Sequence, residues 1–279
     1  MVEGKYHVLV ASIRDPASAV MADYLQRNRG FKAVGERSAM KEESLDSVNH
    51  KTIKLHISSE SLLYLEELDG VYPEAKSFVF LSKHKSESAI PTLTCHCTGN
   101  FGENSYGGNP REIAISWPYL QKLYLVTLDQ LKSTILPYEI TIEATHHGPT
   151  GLKKPVLFVE LGSSKVQWHD AKAATLICDS VLSVLESSSH GQCSKVCIGL
   201  GGTHYPTKFN RFLIESEFGL AAVASKHNLQ SVDETMLNQM IVKSVEKVTH
   251  VLIDRKGLGS EKERIIELVE RTELEVIKI

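Results

Sequence analysis

The chain has 279 residues, 42% of them hydrophobic and 23% charged, and a formal net charge of −3 at pH 7. That length and balance suit one large α/β domain, or a core with a smaller lobe, and exclude a disordered chain. They also exclude a uniformly basic nucleic-acid binder, so any nucleic-acid partner must be held by a local basic patch.

In chain order, the apolar run Tyr6 to Ala11 predicts a strand. Asp15-Pro16 then opens a helix to about Asn28, which Gly30 stops. Residues 35–60 are polar and weakly patterned, with short strands expected around 52–57, and Ser61 to Leu68 suits a short helix. Ser77 to Leu81 and Thr92 to Cys97 predict strands. Glu139 to Thr145 alternates, with Ile140, Ile142 and Ala144 on one face and Thr141, Glu143 and Thr145 on the other. Val156 to Leu161 is a continuous apolar run ending in Glu160-Leu161, the pattern of a strand buried on both faces. A long helix is expected over Val166 to Leu185. Strands follow at Lys195 to Leu200 and Val248 to Asp254. Ser260-Glu261-Lys262-Glu263 reads as a capping box before a helix to about Thr272, and Glu273 to Ile279 suits a last strand. A composition shift near Gly70 suggests an N-terminal α/β lobe over residues 1–70 and a catalytic core over 71–279.

The cysteines are five: Cys95, Cys97, Cys178, Cys193 and Cys197. The odd count and the lack of a signal-peptide layout lead us to expect reduced thiols in the cytoplasm. No apolar run reaches the ~20 residues that span a bilayer, so no membrane partner is expected.

Polar, site-type residues gather where the central strands end: Ser82, Lys83 and His84; His96 with Thr98-Gly99-Asn100; His146-His147-Gly148-Pro149-Thr150; Glu160 with Gly162-Ser163-Ser164; and Gly201-Gly202-Thr203-His204-Tyr205. In open α/β sheets ligands bind outside the carboxyl ends of the strands, so parallel neighbours would bring these loops to one crevice. A bare His-His pair is better explained by a solvated turn, and only the flanking Gly-Pro-Thr and the other His-bearing loops make the functional reading equal to it. Beside the other loops, one histidine can ligate a metal while the other moves protons, and Glu143 can act as ligand, base or orienter. His96 faces away from both neighbouring cysteines in a strand, so Cys95-His96-Cys97 is not a zinc chelate in itself. His84-Lys85-Ser86-Glu87 matches the H-x-x-E of zinc carboxypeptidases, a pattern that arises by chance in many chains. The glycine-serine loops can hold an anion or simply form tight turns. Lys153-Lys154, Lys208 with Arg211, and Arg255-Lys256 flank these loops and can meet phosphates or only solvent.

The blocks Leu81-Ser82-Lys83-His84, Thr94 to Asn100, Glu143 to Thr150, Glu160 to Ser164 and Gly199 to Tyr205, with Trp168, resemble in order those of the archaeal and plant D-aminoacyl-tRNA deacylases. The resemblance spans about residues 77–260. It implies a three-layer α/β/α, phosphorylase/hydrolase-like core with a mixed sheet. It also implies a bound zinc ion (Zn2+) and hydrolysis of the ester joining a D-amino acid to tRNA. Thr203 stands where the family usually has a third glycine, Pro206 follows Tyr205 directly, and Gly151 replaces a frequent acidic residue. These departures bear on substrate preference more than on reaction class.

The expectations are therefore as follows. Glu143, His146 and His147 are catalytic, and His84, His96, Glu160 and His204 hold metal. Asn100, Gly162, Ser163, Ser164, Gly201, Gly202 and Tyr205 bind substrate, and Lys153, Lys154 and Lys208 meet tRNA. The partner is tRNA charged with D-amino acids, and the chain acts as a monomer. A zinc amidohydrolase or carboxypeptidase acting on small amides is the alternative.

Overall fold

A computed structural model describes residues 4–32, 52–188 and 191–279. Much of the weakly patterned stretch before residue 52 lies outside these described residues. β1 (Tyr6–Ser12) leads into α1 (Pro16–Arg29), whose N-cap Asp15 accepts from the Ser18 amide and whose C-cap is Gly30. β2 (Ile53–Ser58) follows, then a 3₁₀ turn (Leu62–Tyr64), the short α2 (Leu68–Val71) and β3 (Ala75–Lys83). Next come β4 (Thr92–His96), β5 (Gly99–Asn100), β6 (Glu112–Ile113), α3 (Pro118–Leu131) and β7 (Glu139–Ile142). β8 (Val156–Gly162), α4 (Lys165–Trp168) and α5 (Ala171–Ser187) complete the first half of the fold. The rest comprises β9 (Lys195–Leu200), α6 (Thr207–Glu215), β10 (Phe218–Ala224), α7 (Glu234–Val242), β11 (His250–Ile253), α8 (Lys262–Glu270) and β12 (Glu275–Lys278).

The strands form a six-stranded sheet in the order β2-β1-β3-β8-β4-β7 and a four-stranded sheet in the order β10-β9-β11-β12. The second sheet is parallel throughout. The first is mixed, as expected: β2, β1, β3 and β8 run one way, while β4 lies antiparallel to β8 and carries β7 parallel to itself. β1 is hydrogen-bonded to β2 on one side and to β3 on the other. The strand ladder therefore runs across the boundary expected at residue 70.

Alternation explains the layers. Leu9, Ala11, Val79, Leu81, Val159 and Leu161 face α1, α3 and α5, while Val8, Val10, Phe78, Phe80, Val156 and Phe158 face the opposite side. That opposite side is covered by the short 62–72 segment, through Leu62, Leu68 and Tyr72, rather than by long helices. α3 bridges the sheets, packing on β4 and β7 of one and on β10 of the other, and α7 and α8 cover the far face of the second sheet.

Three local expectations are corrected. The helix expected over Val166 to Leu185 is broken, because Asp170 caps α5 by accepting from the Lys172 and Ala173 amides. The capping box expected at Ser260 is absent, since α8 starts at Lys262 after a 3₁₀ turn, whereas Ser164 and Gln167 form one at α4. Cys97 lies beyond the end of β4 and packs on the opposite side from Cys95, the side His96 also faces.

Candidate metal centre and active site

The outer face of the first sheet turns from apolar to polar along its strands. Phe158 gives way to Glu160 on β8, and Phe80 to Ser82 on β3. Because β4 runs against β8, Thr94 sits opposite Glu160 and His96 opposite Phe158, on that same face. Convergence thus joins the carboxyl ends of two pairs of parallel neighbours, β3 with β8 and β4 with β7, on one face of the sheet, with the two pairs meeting antiparallel at β8 and β4. β7 delivers Glu143 beside β4, where its amide donates to the Cys95 carbonyl. The second sheet contributes His204, whose carbonyl accepts from the Ala144 amide.

A cavity of about 430 Å³ on this face is lined by His84, Glu143, His146, His147, Glu160 and His204, among others. Three sets of ligand atoms lie within 4.8 Å of one another: those of His96, His146 and His147; of Glu143, His146 and His204; and of His84, Glu143 and Glu160. His147 has a φ of 45°, a left-handed conformation that is uncommon outside glycine. That turn lets two consecutive rings share one side, with centroids 4.3 Å apart. The ring of His96 is 4.2 Å from that of His146 and 4.8 Å from that of His147.

Three imidazoles share one anchoring pattern. Nδ1 of His146 lies 2.8 Å from the Ala144 carbonyl, Nδ1 of His147 2.7 Å from that of Gly148, and Nδ1 of His96 3.3 Å from that of Cys97. A carbonyl only accepts, so each Nδ1 carries the proton, and a neutral ring then presents a bare Nε2. Nε2 of His96 is buried without a hydrogen-bond partner.

The carboxylates are braced differently. Glu143 is 3% exposed; it accepts from Thr94 Oγ1, stands 3.0 Å from His84 Nδ1 and is 2.7 Å from His204 Nε2. Burial alone would raise its pKa, but hydrogen bonds from His204 and His84 and the charge of nearby histidines hold it well below the usual range. Glu160 lies 3.4 Å from His84 Nδ1 and 3.7 Å from His96 Nε2. Burial opposes the His84 imidazolium, yet hydrogen bonds to Glu143 and Glu160 raise its pKa to about 10. His84 is fixed further by Tyr205 Oη, 3.1 Å from its Nε2, and by the Trp168 indole, which donates to its carbonyl at 2.7 Å. His147 is pushed down, first by burial and then by neighbouring positive charge.

All seven residues expected to catalyse or to ligate metal meet in this cluster, and Tyr205 borders it. Other expected residues lie elsewhere. Asn100 donates to the Gly107 and Asn109 carbonyls and so holds a loop. Ser163 donates to the Ile90 carbonyl, Ser164 caps α4, and Gly162 packs against His84. None of these four lines the cavity, nor do Lys153 and Lys154. Gly201 and Gly202 lie in the loop after β9, and Gly202 and Lys208 line a separate cavity. Glu87 is exposed on a loop, so the His84-x-x-Glu87 chelate is not formed. Sequence reasoning missed Thr94, and it missed Asp15, which lines the cavity and accepts from the Lys83 amide at 3.0 Å. An acidic N-cap directly after a central strand was the available signal for Asp15.

The sequence model of D-aminoacyl-tRNA deacylases matches residues 71–277. The chain belongs to the D-aminoacyl-tRNA deacylase family. It is 37% identical over 271 residues to the D-aminoacyl-tRNA deacylase of Cenarchaeum symbiosum (strain A), covering 97% of this chain and 98% of that one. It is 39% identical over 276 residues to the enzyme of that name from Methanococcus vannielii, covering 96% and 97%. A crystal structure described as a conserved protein of unknown function superposes with a TM-score of 0.83 at 26% identity, covering 99% of this chain and 96% of that one. The alignments with both deacylases span the two sheets, so the His204 loop lies inside the family region together with the first-sheet cluster. No helix among the described residues is long and apolar enough to cross a membrane.

Proposed function

We propose that this chain hydrolyses the ester joining a D-amino acid to the 3′ end of tRNA, releasing both, with a zinc ion held by His96, His146 and His147. Family membership supports the substrate. The observation that carries the chemistry is the shared anchoring of three imidazoles, each spending Nδ1–H on a main-chain carbonyl, with His96 Nε2 buried, without a hydrogen bond and 3.7 Å from Glu160. Histidines that ligate zinc through Nε2 are oriented by such bonds, and three-histidine sets are a known form of catalytic zinc site. Zinc held there supplies Lewis acidity toward the ester carbonyl.

The remaining groups handle the proton. Glu143 Oε2 takes it from the attacking water and returns it to the ribose oxygen as the C–O bond breaks, while His204 Nε2, 2.7 Å away, donates to the same carboxylate oxygen and holds it in place. The His204 side chain is 40% exposed, so this pair reaches the cavity. His84, between Glu143 and Glu160, keeps a fixed positive charge beside both carboxylates. This division moves His146 and His147 from proton transfer to ligation, and His84 and His204 from ligation to charge and carboxylate positioning.

The amide-hydrolase alternative loses its main support with the exposed Glu87. Release of tyrosine from D-tyrosyl-tRNA, measured beside an N-acyl amino acid panel, decides between the two. Rapid deacylation with no amide turnover is expected; amide turnover alone would remove the proposal.

A further inference from the structure

A second cavity, of about 300 Å³, opens at the carboxyl ends of β9, β10 and β11. In a parallel sheet this edge is where ligands bind, and the volume is at the small end of ligand pockets, which run from about 300 to 1,000 Å³. Its walls include Gly202, Lys208, Lys226, Asp254, Lys256 and Gly257. One carboxylate thus faces three lysines. Lys208 is committed to Asp254 at 2.7 Å, while Lys226 and Lys256 are exposed and form no ion pair with a described residue. Two uncompensated positive charges therefore meet in one cavity of a chain whose formal net charge is −3.

The floor is bare main chain. Gly202 has a φ of 77°, and a Cβ on Gly257 would stand 2.2 Å from the Gly202 nitrogen. A side chain is thereby excluded between these two loops, which brings their main chains together at the rim. α6 begins at Thr207 on the same rim and adds the positive end of its dipole.

The cavity adjoins the histidine cluster. Gly202 and Thr203 line it, and the next residue, His204, reaches Glu143. Two peptide links span at most about 7 Å. The 202–204 segment therefore borders both the second cavity and the histidine cluster.

Building on the proposed deacylase activity, we infer that this second cavity binds a backbone phosphate of the tRNA acceptor end, through Lys226 and Lys256, and so positions the 3′ ester over the histidine cluster. The Lys208–Asp254 pair acts as a fixed wall rather than as a free cation. Thr203 adds a side chain on this rim.

The test is binding of uncharged tRNA, followed by fluorescence anisotropy over a salt series, for the wild-type protein and the Lys226→Ala/Lys256→Ala double variant. Both lysines are exposed, and an unchanged Tm confirms folding. We expect Kd to rise at least about tenfold, and the slope of log Kd against log salt to fall by roughly 1 to 2, as for the loss of two phosphate contacts. The same Kd and slope in both proteins would overturn the inference. Deacylation is read separately. tRNA binding lost in the double variant, in a protein that hydrolyses no ester, would sink the activity and leave the phosphate site standing. Deacylation with unchanged Kd would sink the phosphate site alone.

Discussion

Nε2 of His204 lies 2.7 Å from Oε2 of Glu143, and this contact joins the loop after β9 in the second sheet to the end of β7 in the first. The two residues are 61 apart in sequence. The bond requires both sheets to be in place, so the cluster is assembled by the whole fold.

Glu143→Gln tests the proton transfer. The amide keeps an oxygen to accept from Thr94, so the local fold is preserved, but it can no longer take up a proton. On the proposed mechanism kcat falls by roughly 10²–10⁴, with little change in KM. Steady-state deacylation of D-tyrosyl-tRNA measures both.

His96→Gln separates ligation from proton handling. The proposed set then drops to two imidazoles, because Gln offers no aromatic nitrogen in place of Nε2. Zinc per chain, by elemental analysis after dialysis, is expected to fall well below that of the wild type, and kcat by at least about 100-fold. Full zinc content in the variant would exclude His96 from the ligand set.

Gly162→Ala addresses how His84 is placed. An added Cβ would stand 2.5 Å from both the Cβ and the carbonyl oxygen of His84. The strand must shift, at a cost of about 1–3 kcal/mol. Urea unfolding should show a lower midpoint. Because His84 moves with the strand, kcat should fall as well.

His7 predicts a pH effect remote from the site. It is 1% exposed, its Nδ1 is 2.8 Å from Ser77 Oγ, and its Nε2 has no hydrogen-bond partner. Burial, followed by the charge of Lys76, lowers its pKa from 6.5 to about 4. Between those values the unfolded chain binds the proton and the folded chain does not, so stability falls as the pH drops from 6.5 towards 4. The full loss is about 3 kcal/mol. His7→Gln should reduce the pH dependence of the unfolding free energy in this window by close to one proton, measured by urea unfolding at pH 7, 6 and 5.

The sequence made some features readable and others not. Unbroken apolar runs marked β1, β3, β8 and β9, and alternation set Glu143 apart from the apolar Ile142 and Ala144; it lies one residue past the end of β7. Strand direction left no local trace, because β4 pairs against β8 through hydrogen bonds between residues more than 60 apart, such as Thr94 and Glu160. β10 went unread because Gly219, Ala221, Ala222 and Ala224 dilute its apolar signal. α3 was missed although its apolar positions recur at helical spacing. Thr94 looked like any strand threonine, since its partner Glu143 lies 49 residues away. The histidines were visible as residue types, whereas their roles depend on which carbonyl each Nδ1 meets.

The most direct measurement of the central claim is zinc content alongside release of D-tyrosine from D-tyrosyl-tRNA, before chelation, after it, and after zinc is restored. The account predicts a bound zinc ion, loss of activity when it is stripped, and recovery on adding zinc to the wild type but not to His96→Gln. Undiminished deacylation by fully stripped protein would contradict it.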